Sequence, residues 1–225
     1  MFLILILLTL ASWGIQQRLR SKFRQYSEIG LRSGLSGREV AAKMLADHGI
    51  RDVQIISTEG QLSDHYNPTD KTVNLSAEVY AGRSATAAAV AAHECGHAVQ
   101  HAQAYSFLQL RSALVPALSG VSRFMPMLLL AGVVLLRTTP IPLGIGVALF
   151  ALATLFSFIT LPVEFDASRR ALAWMDRSGV VTTQEHAVAK DALWWAAMTY
   201  VVAAISSLAT LLYYGMMLVG GNRRN

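Results

Sequence analysis

The run His93-Glu94-Cys95-Gly96-His97 sets two imidazoles and a carboxylate within five residues, in the pattern H-E-x-x-H. On an α-helix the four-residue spacing puts His93 and His97 on one face, one turn apart, where both can bind a single zinc ion. Glu94 stands about 100° round from His93, too far to join that ligand set but able to reach a water held beside it. It reads as the general base of a hydrolase, taking a proton as water attacks a peptide carbonyl and returning it to the leaving amine. The competing reading is a buried polar helix face. It is hard to reconcile with an alanine-rich helix, where burying such groups is costly unless something binds them. Cys95 reads as a small packing residue rather than a nucleophile. Gly96 costs about 1 kcal/mol relative to alanine in a helix interior, so another backbone is expected to pack against it.

A catalytic zinc needs a third protein ligand and an open position. His101 is one turn further along, but a rigid helix cannot bring residues 93, 97 and 101 to one tetrahedral centre. The metzincin pattern would want Gly and His at positions 100 and 103, where Gln100 and Gln103 stand. Glu164, in Leu161-Pro162-Val163-Glu164-Phe165-Asp166, is the better candidate because it closes an apolar stretch. Asp166 competes with it, either as ligand or by orienting a zinc-bound histidine from behind. His65 and Tyr66 have two readings: one of them stabilises the oxyanion of the tetrahedral intermediate, or both are solvent-side residues of a hairpin.

Several elements must position these groups. Ser36-Gly37-Arg38-Glu39 is a capping box opening an amphipathic helix that buries Val40, Met44 and Leu45 and ends at Gly49. Residues 53–57, 62–66 and 72–75 read as strands, the last two joined by the turn sequence Asn67-Pro68-Thr69-Asp70. The 72–75 strand is a candidate to pair with an extended substrate, as edge strands do. Ser84 can cap the helix that carries the motif to about Tyr105.

The chain is 53% hydrophobic and 15% charged over 225 residues, which is not the composition of an ordinary soluble domain. Apolar stretches cover 1–15, 113–136, 141–163 and 194–219; the last three approach or exceed the roughly 20 residues that cross a bilayer. The first is expected to be a retained anchor rather than a cleaved signal. Trp194 and Trp195 at one end of the last stretch, with Tyr213 and Tyr214 at the other, match two interfacial belts. The net charge of +5 does not call for nucleic acid, because Arg18, Arg20, Lys22 and Arg24 cluster beside an apolar segment, where basic residues set orientation. Placing that cluster in the cytoplasm puts residues 16–112 there, and two crossings return Glu164 to the same side. Arg223 and Arg224 do not fit that direction. A single cysteine excludes an intrachain disulfide.

Beyond this reasoning, the chain resembles the YugP-like neutral zinc metallopeptidases of bacteria, and more distantly the HtpX-type membrane proteases. The resemblance is carried by Leu62-Ser63-Asp64-His65-Tyr66, Leu75-Ser76 with Val79-Tyr80, Ala91 to Ala98, Leu110-Arg111-Ser112 and Leu161 to Ala171. It implies a gluzincin arrangement in which His93, His97 and Glu164 bind zinc and Glu94 is catalytic. HtpX-type enzymes have an aspartate four residues after the ligand glutamate, where this chain has Ser168; Asp166 is the expected substitute.

The expected protein is therefore mostly α-helical and integral to the membrane. About four transmembrane helices accompany a zincin-like cytoplasmic catalytic region with a small β-sheet. Its segments are an anchor at 1–15, the catalytic region at 16–112, a two-span hairpin at 113–163, a cytoplasmic segment with the third ligand at 164–192, and a last span with its tail at 193–225. The expected function is hydrolysis of protein or peptide substrates, membrane-associated or misfolded, by a multi-pass protein of the bacterial cell membrane binding one zinc per chain. Other readings are an intramembrane protease, a catalytically silent zinc scaffold or chaperone, and a small transporter. Polar residues around the motif argue against the first and Glu94 against the second. Spans lacking interior charge apart from Arg123 argue against the third.

Overall fold

The computed structural model describes residues 2–60 and 62–222. Eight helices and three strands are assigned among the described residues, and they divide into two compact units. One comprises residues 15–108 and 162–198, the other residues 1–14, 109–161 and 199–225. Arg223 and Arg224 lie outside the described residues, as does Met1 of the expected anchor.

The first unit begins within α1 (Phe2–Ser27), in which the apolar start and the basic Arg18 to Arg24 segment form one continuous helix. In α2 (Gly37–Asp47) the capping box is in place: the Ser36 side chain accepts from the Glu39 N–H, and Glu39 accepts from the Ser36 N–H at 2.7 Å. Its apolar face is buried through Val40, Met44 and Leu45. The sheet contains β1 (Gln54–Thr58), β2 (His65–Asn67) and β3 (Thr72–Ser76) in the order β1-β3-β2. β3 is parallel to β1, with Ile55 opposite Val73, and antiparallel to β2, with His65 opposite Asn74. This corrects the expectation that residues 72–75 form an edge. Both edges of β3 are paired, and the free edges belong to β1 and β2; Val73 to Ser76 are buried in succession, so both faces of this strand are covered.

Next come α3 (Ala77–Ala81) and α4 (Ala85–Ala102), the latter capped by the Ser84 hydroxyl, which accepts from the Ala87 N–H at 3.2 Å. Nearly every residue of α4 is buried. Its alanines are explained by that burial: a helix enclosed on all sides by α2, α3, β2 and β3 needs side chains small enough to let each neighbour approach.

In the second unit, α5 (Ser106–Ser122) and α6 (Met125–Leu135) meet at a 56° bend. The stretch expected as one span, 113–136, is thus broken at Arg123. Pro126 is the physical cause, because it has no N–H to donate to Ser122 and its ring clashes with that carbonyl. After the turn at 136–140, α7 (Ile141–Ser178) and α8 (Thr183–Asn222) complete the chain. These two are long and apolar enough to cross a membrane, or three helices qualify if the bent pair counts as one. The apolar part of α1 is not among them; about 14 residues rise only about 21 Å, short of a 30 Å hydrocarbon core. With 38 residues, α7 runs about 57 Å, so it continues well past its apolar part into a polar segment that begins at Glu164.

Candidate metal centre

His93 and His97 project from the middle of α4 and Glu164 from α7. Glu164 Oε2 lies 3.3 Å from His93 Nε2 and 3.7 Å from His97 Nε2. One ligand atom from each of the three lies within 4.8 Å of the others. Donors about 2.0–2.1 Å from a tetrahedral zinc stand roughly 3.3 Å apart, so the two nitrogens and the oxygen fit such an ion with modest adjustment. The donor set, two imidazoles and one carboxylate, suits zinc. His97 and Glu164 are buried, and His93 is partly open.

What holds the histidines is a network that the sequence reading did not find. Gln100 is fully buried, three residues beyond His97 on α4. Its Nε2 donates to the Val163 carbonyl at 2.8 Å and to Asp166 Oδ2 at 2.9 Å. Two acceptors on that side fix the amide orientation, so Oε1 faces His97 Nδ1 at 3.0 Å and must accept from it. The proton of His97 is thereby kept on Nδ1 and the Nε2 lone pair is left toward Glu164. Ser168 Oγ stands 3.1 Å from His93 Nδ1, the corresponding position on the other imidazole. Asp166 is outside the three-residue cluster. It is tied to Gln100, Arg169 and Arg170 and touches His97 only through Gln100. The clue in the sequence was Gln100 itself, a long polar residue three positions from His97 in an alanine-rich helix.

Gly96 is at the crossing of α4 and α7. A Cβ there would lie 2.6 Å from the Ala167 carbonyl oxygen, so only glycine lets the two backbones close around the cluster. Cys95 is buried with its Sγ 3.6 Å from the Ala41 carbonyl, and burial pushes its thiol well above the usual range, as suits a packing residue. Glu94 is buried beside the cluster. Burial, reinforced by the nearby Glu164 and Asp64 carboxylates, pushes it up to about 7 against the opposing pull of His93 and of the Tyr66 backbone N–H that donates to it. Asp64 receives the Ser76 N–H at 2.7 Å and the Ser76 hydroxyl at 3.1 Å, pinning the approach to β2 against the end of β3. His65 is exposed, with Nδ1 2.8 Å from the Ser63 carbonyl. The Tyr66 hydroxyl is 2.7 Å from His101 Nδ1. His101 thus contacts the hairpin instead of the cluster.

Over residues 1–219 the chain matches the family described as "Putative neutral zinc metallopeptidase". The chain belongs to this family. It is also 40% identical over 227 residues to a Bacillus subtilis (strain 168) protein named "Putative membrane protease YugP", covering 99% of this chain and 100% of that one. No solved structure matches it.

Proposed function

We propose that the protein is a membrane-bound zinc endopeptidase of gluzincin type. His93, His97 and Glu164 hold one zinc per chain, and Glu94 is the general base. The observation that carries this reading is the convergence of the two Nε2 atoms and Glu164 Oε2, with both Nδ1 atoms held from behind by Gln100 and Ser168. Zinc, when bound there, would polarise the scissile carbonyl and acidify water. Glu94, buried beside the two histidines, is placed to move the proton. Its carboxylate takes the proton of the attacking water and delivers it to the leaving nitrogen, while the Tyr66 N–H keeps it oriented. Gln100 and Asp166 hold His97, and Ser168 holds His93, in the tautomer that coordinates through Nε2.

Substrates in this reading are membrane-associated or misfolded proteins, because Glu164 follows directly on an apolar stretch of α7. The basic segment of α1 supports a cytoplasmic site in a multi-pass protein. Purified chain should contain about one zinc and cleave an unfolded polypeptide; chelator should stop cleavage and zinc restore it. Glu94→Gln should keep the zinc and lose turnover. Full activity in metal-free protein would refute the reading. Orientation is tested by single cysteines at Ser57 and Ser178 in a Cys95→Ala background, which should react alike with a membrane-impermeant thiol reagent.

A further inference from the structure

Asp166 brings a buried carboxylate to the crossing of α4 and α7, with its side chain 4% exposed, and its Oδ2 accepts from Gln100 Nε2 at 2.9 Å. Two arginines stand against it. Arg169 donates to Oδ1, but its side chain is 78% exposed, and an ion pair held in water fixes little. Arg170, with a side chain 24% exposed, donates through Nε to Oδ2, the same oxygen that receives Gln100.

The rest of the Arg170 guanidinium is held as well. Its Nη1 donates to Gln103 Oε1 at 2.6 Å, and the group lies 5.9 Å from the centre of the Tyr105 ring, within range of a cation–π contact. These partners belong to the exit from α4, which turns through Ala104 at a φ of 52°, a left-handed conformation that glycine favours and alanine rarely adopts. The Tyr105 N–H closes the turn on the Gln100 carbonyl at 2.9 Å. Arg170 therefore restrains Gln100 from two sides. It fixes the carboxylate that receives the Gln100 amide, and it ties down the turn whose N–H bonds the Gln100 backbone. A planar fork can hold both partners at once; the single ammonium of a lysine cannot do so with the same geometry.

We propose that Arg170 is a positioning residue for the metal centre. It keeps Asp166 Oδ2 turned toward Gln100, so that Gln100 Oε1 accepts from His97 Nδ1 and the His97 Nε2 lone pair stays free for zinc. The relay passes through four side chains on two helices, from Arg170 and Asp166 on α7 to Gln100 and His97 on α4. It rests on the metal-binding part of the peptidase reading.

Two measurements on the full-length chain in neutral detergent test it. The first uses zinc-free protein with ¹⁵N-labelled histidine, at a pH where its histidines are neutral. The parent should show His97 protonated at Nδ1, its signals assigned by their loss in His97→Gln. Arg170→Gln should show a mixture of both tautomers, and Arg169→Gln should match the parent. The second is zinc affinity, read by competition with a chromophoric chelator. It should fall about tenfold in Arg170→Gln and stay within about twofold of the parent in Arg169→Gln. Because the relay passes through Gln100, adding Arg170→Gln to Gln100→Leu should cost almost nothing further, whereas a merely structural arginine would cost the same in both backgrounds. Gln103→Ala removes the second anchor and leaves Asp166 intact; it should give a smaller loss, also absent in Gln100→Leu, and it carries the test if Arg170→Gln does not fold. Parental tautomer and affinity in Arg170→Gln, or the same zinc loss with and without Gln100, overturns the relay. An equal loss in Arg169→Gln also overturns it, because charge alone would then hold Asp166. A chain that binds no zinc, yet whose His97 tautomer depends on Arg170, defeats the metal-binding reading and leaves the relay standing.

Discussion

The two units solve opposite solvent problems with the same residue types. In the unit containing His93, His97 and Glu164, Val40, Met44, Leu75, Ala91, Cys95 and Met175 belong to one continuous core, and apolar side chains face inward. In the other, Met125, Leu129 and Leu143 form a small buried cluster, while Met127, Leu130, Val134, Ile141 and Leu212 are exposed. Such a surface suits lipid, where the hydrophobic effect no longer drives helices together and close packing does. Close packing is visible at Gly132, where a Cβ would lie 2.6 Å from the Leu143 backbone. Gly96 makes the same kind of crossing in the other unit, so the two units share a packing device but not a driving force.

The largest effect that would sharpen this contrast is at Glu164. Glu164→Gln keeps the shape but removes the anionic ligand, and zinc affinity should fall by more than about 100-fold, beyond the range for residues behind the ligands. Membrane insertion of the variant should be as in the parent, measured by carbonate extraction beside equilibrium dialysis of zinc. Zinc binding equal to the parent in Glu164→Gln but lost in Asp166→Asn would move the ligand to Asp166.

Truncations in the two cores come next. Met44 is 0% exposed and Leu130 67%. Met44→Ala should cost about 2–5 kcal/mol in the stability of its unit, read as earlier zinc release on urea titration. Leu130→Ala should leave that titration unchanged; an equal shift for both would erase the proposed difference in solvent.

The paired glycines offer a finer comparison. Gly96→Ala forces α4 and α7 apart at the metal cluster and should cost about 1–3 kcal/mol together with measurable zinc affinity. Gly132→Ala should destabilise its own helix crossing, read by protease sensitivity in detergent, while zinc content stays at the parent level. Zinc loss in Gly132→Ala would mean that the packing of the two units is coupled.

Effects confined to zinc affinity are expected behind the histidines. Gln100→Leu and Ser168→Ala should each weaken zinc binding about 10- to 100-fold without unfolding the chain. Gln100→Leu should be the more severe because it also strips Asp166 of a buried donor. If neither moved zinc affinity, the roles assigned to the Nδ1 contacts would be wrong.

Much of this was legible along the chain because it is local. The capping box at Ser36, the Ser84 cap, the shared face of His93 and His97, and the need for a backbone against Gly96 all follow from helical periodicity and steric size. Pro126, which breaks α5 from α6, is equally visible inside the apolar stretch 113–136. The partner of Gly96 could not be read this way, nor could β3 as the middle strand, Gln100 as the link from His97 to Asp166, or Ser168 behind His93. Each depends on residues up to 75 positions apart meeting, as Ser168 and His93 do. The sequence alone determined which side chains could bind and move a proton, since residue type and helical spacing set that chemistry. Only the tertiary structure decided which carboxylate met the two histidines and what held their rings, because convergence depends on how helices distant in sequence cross.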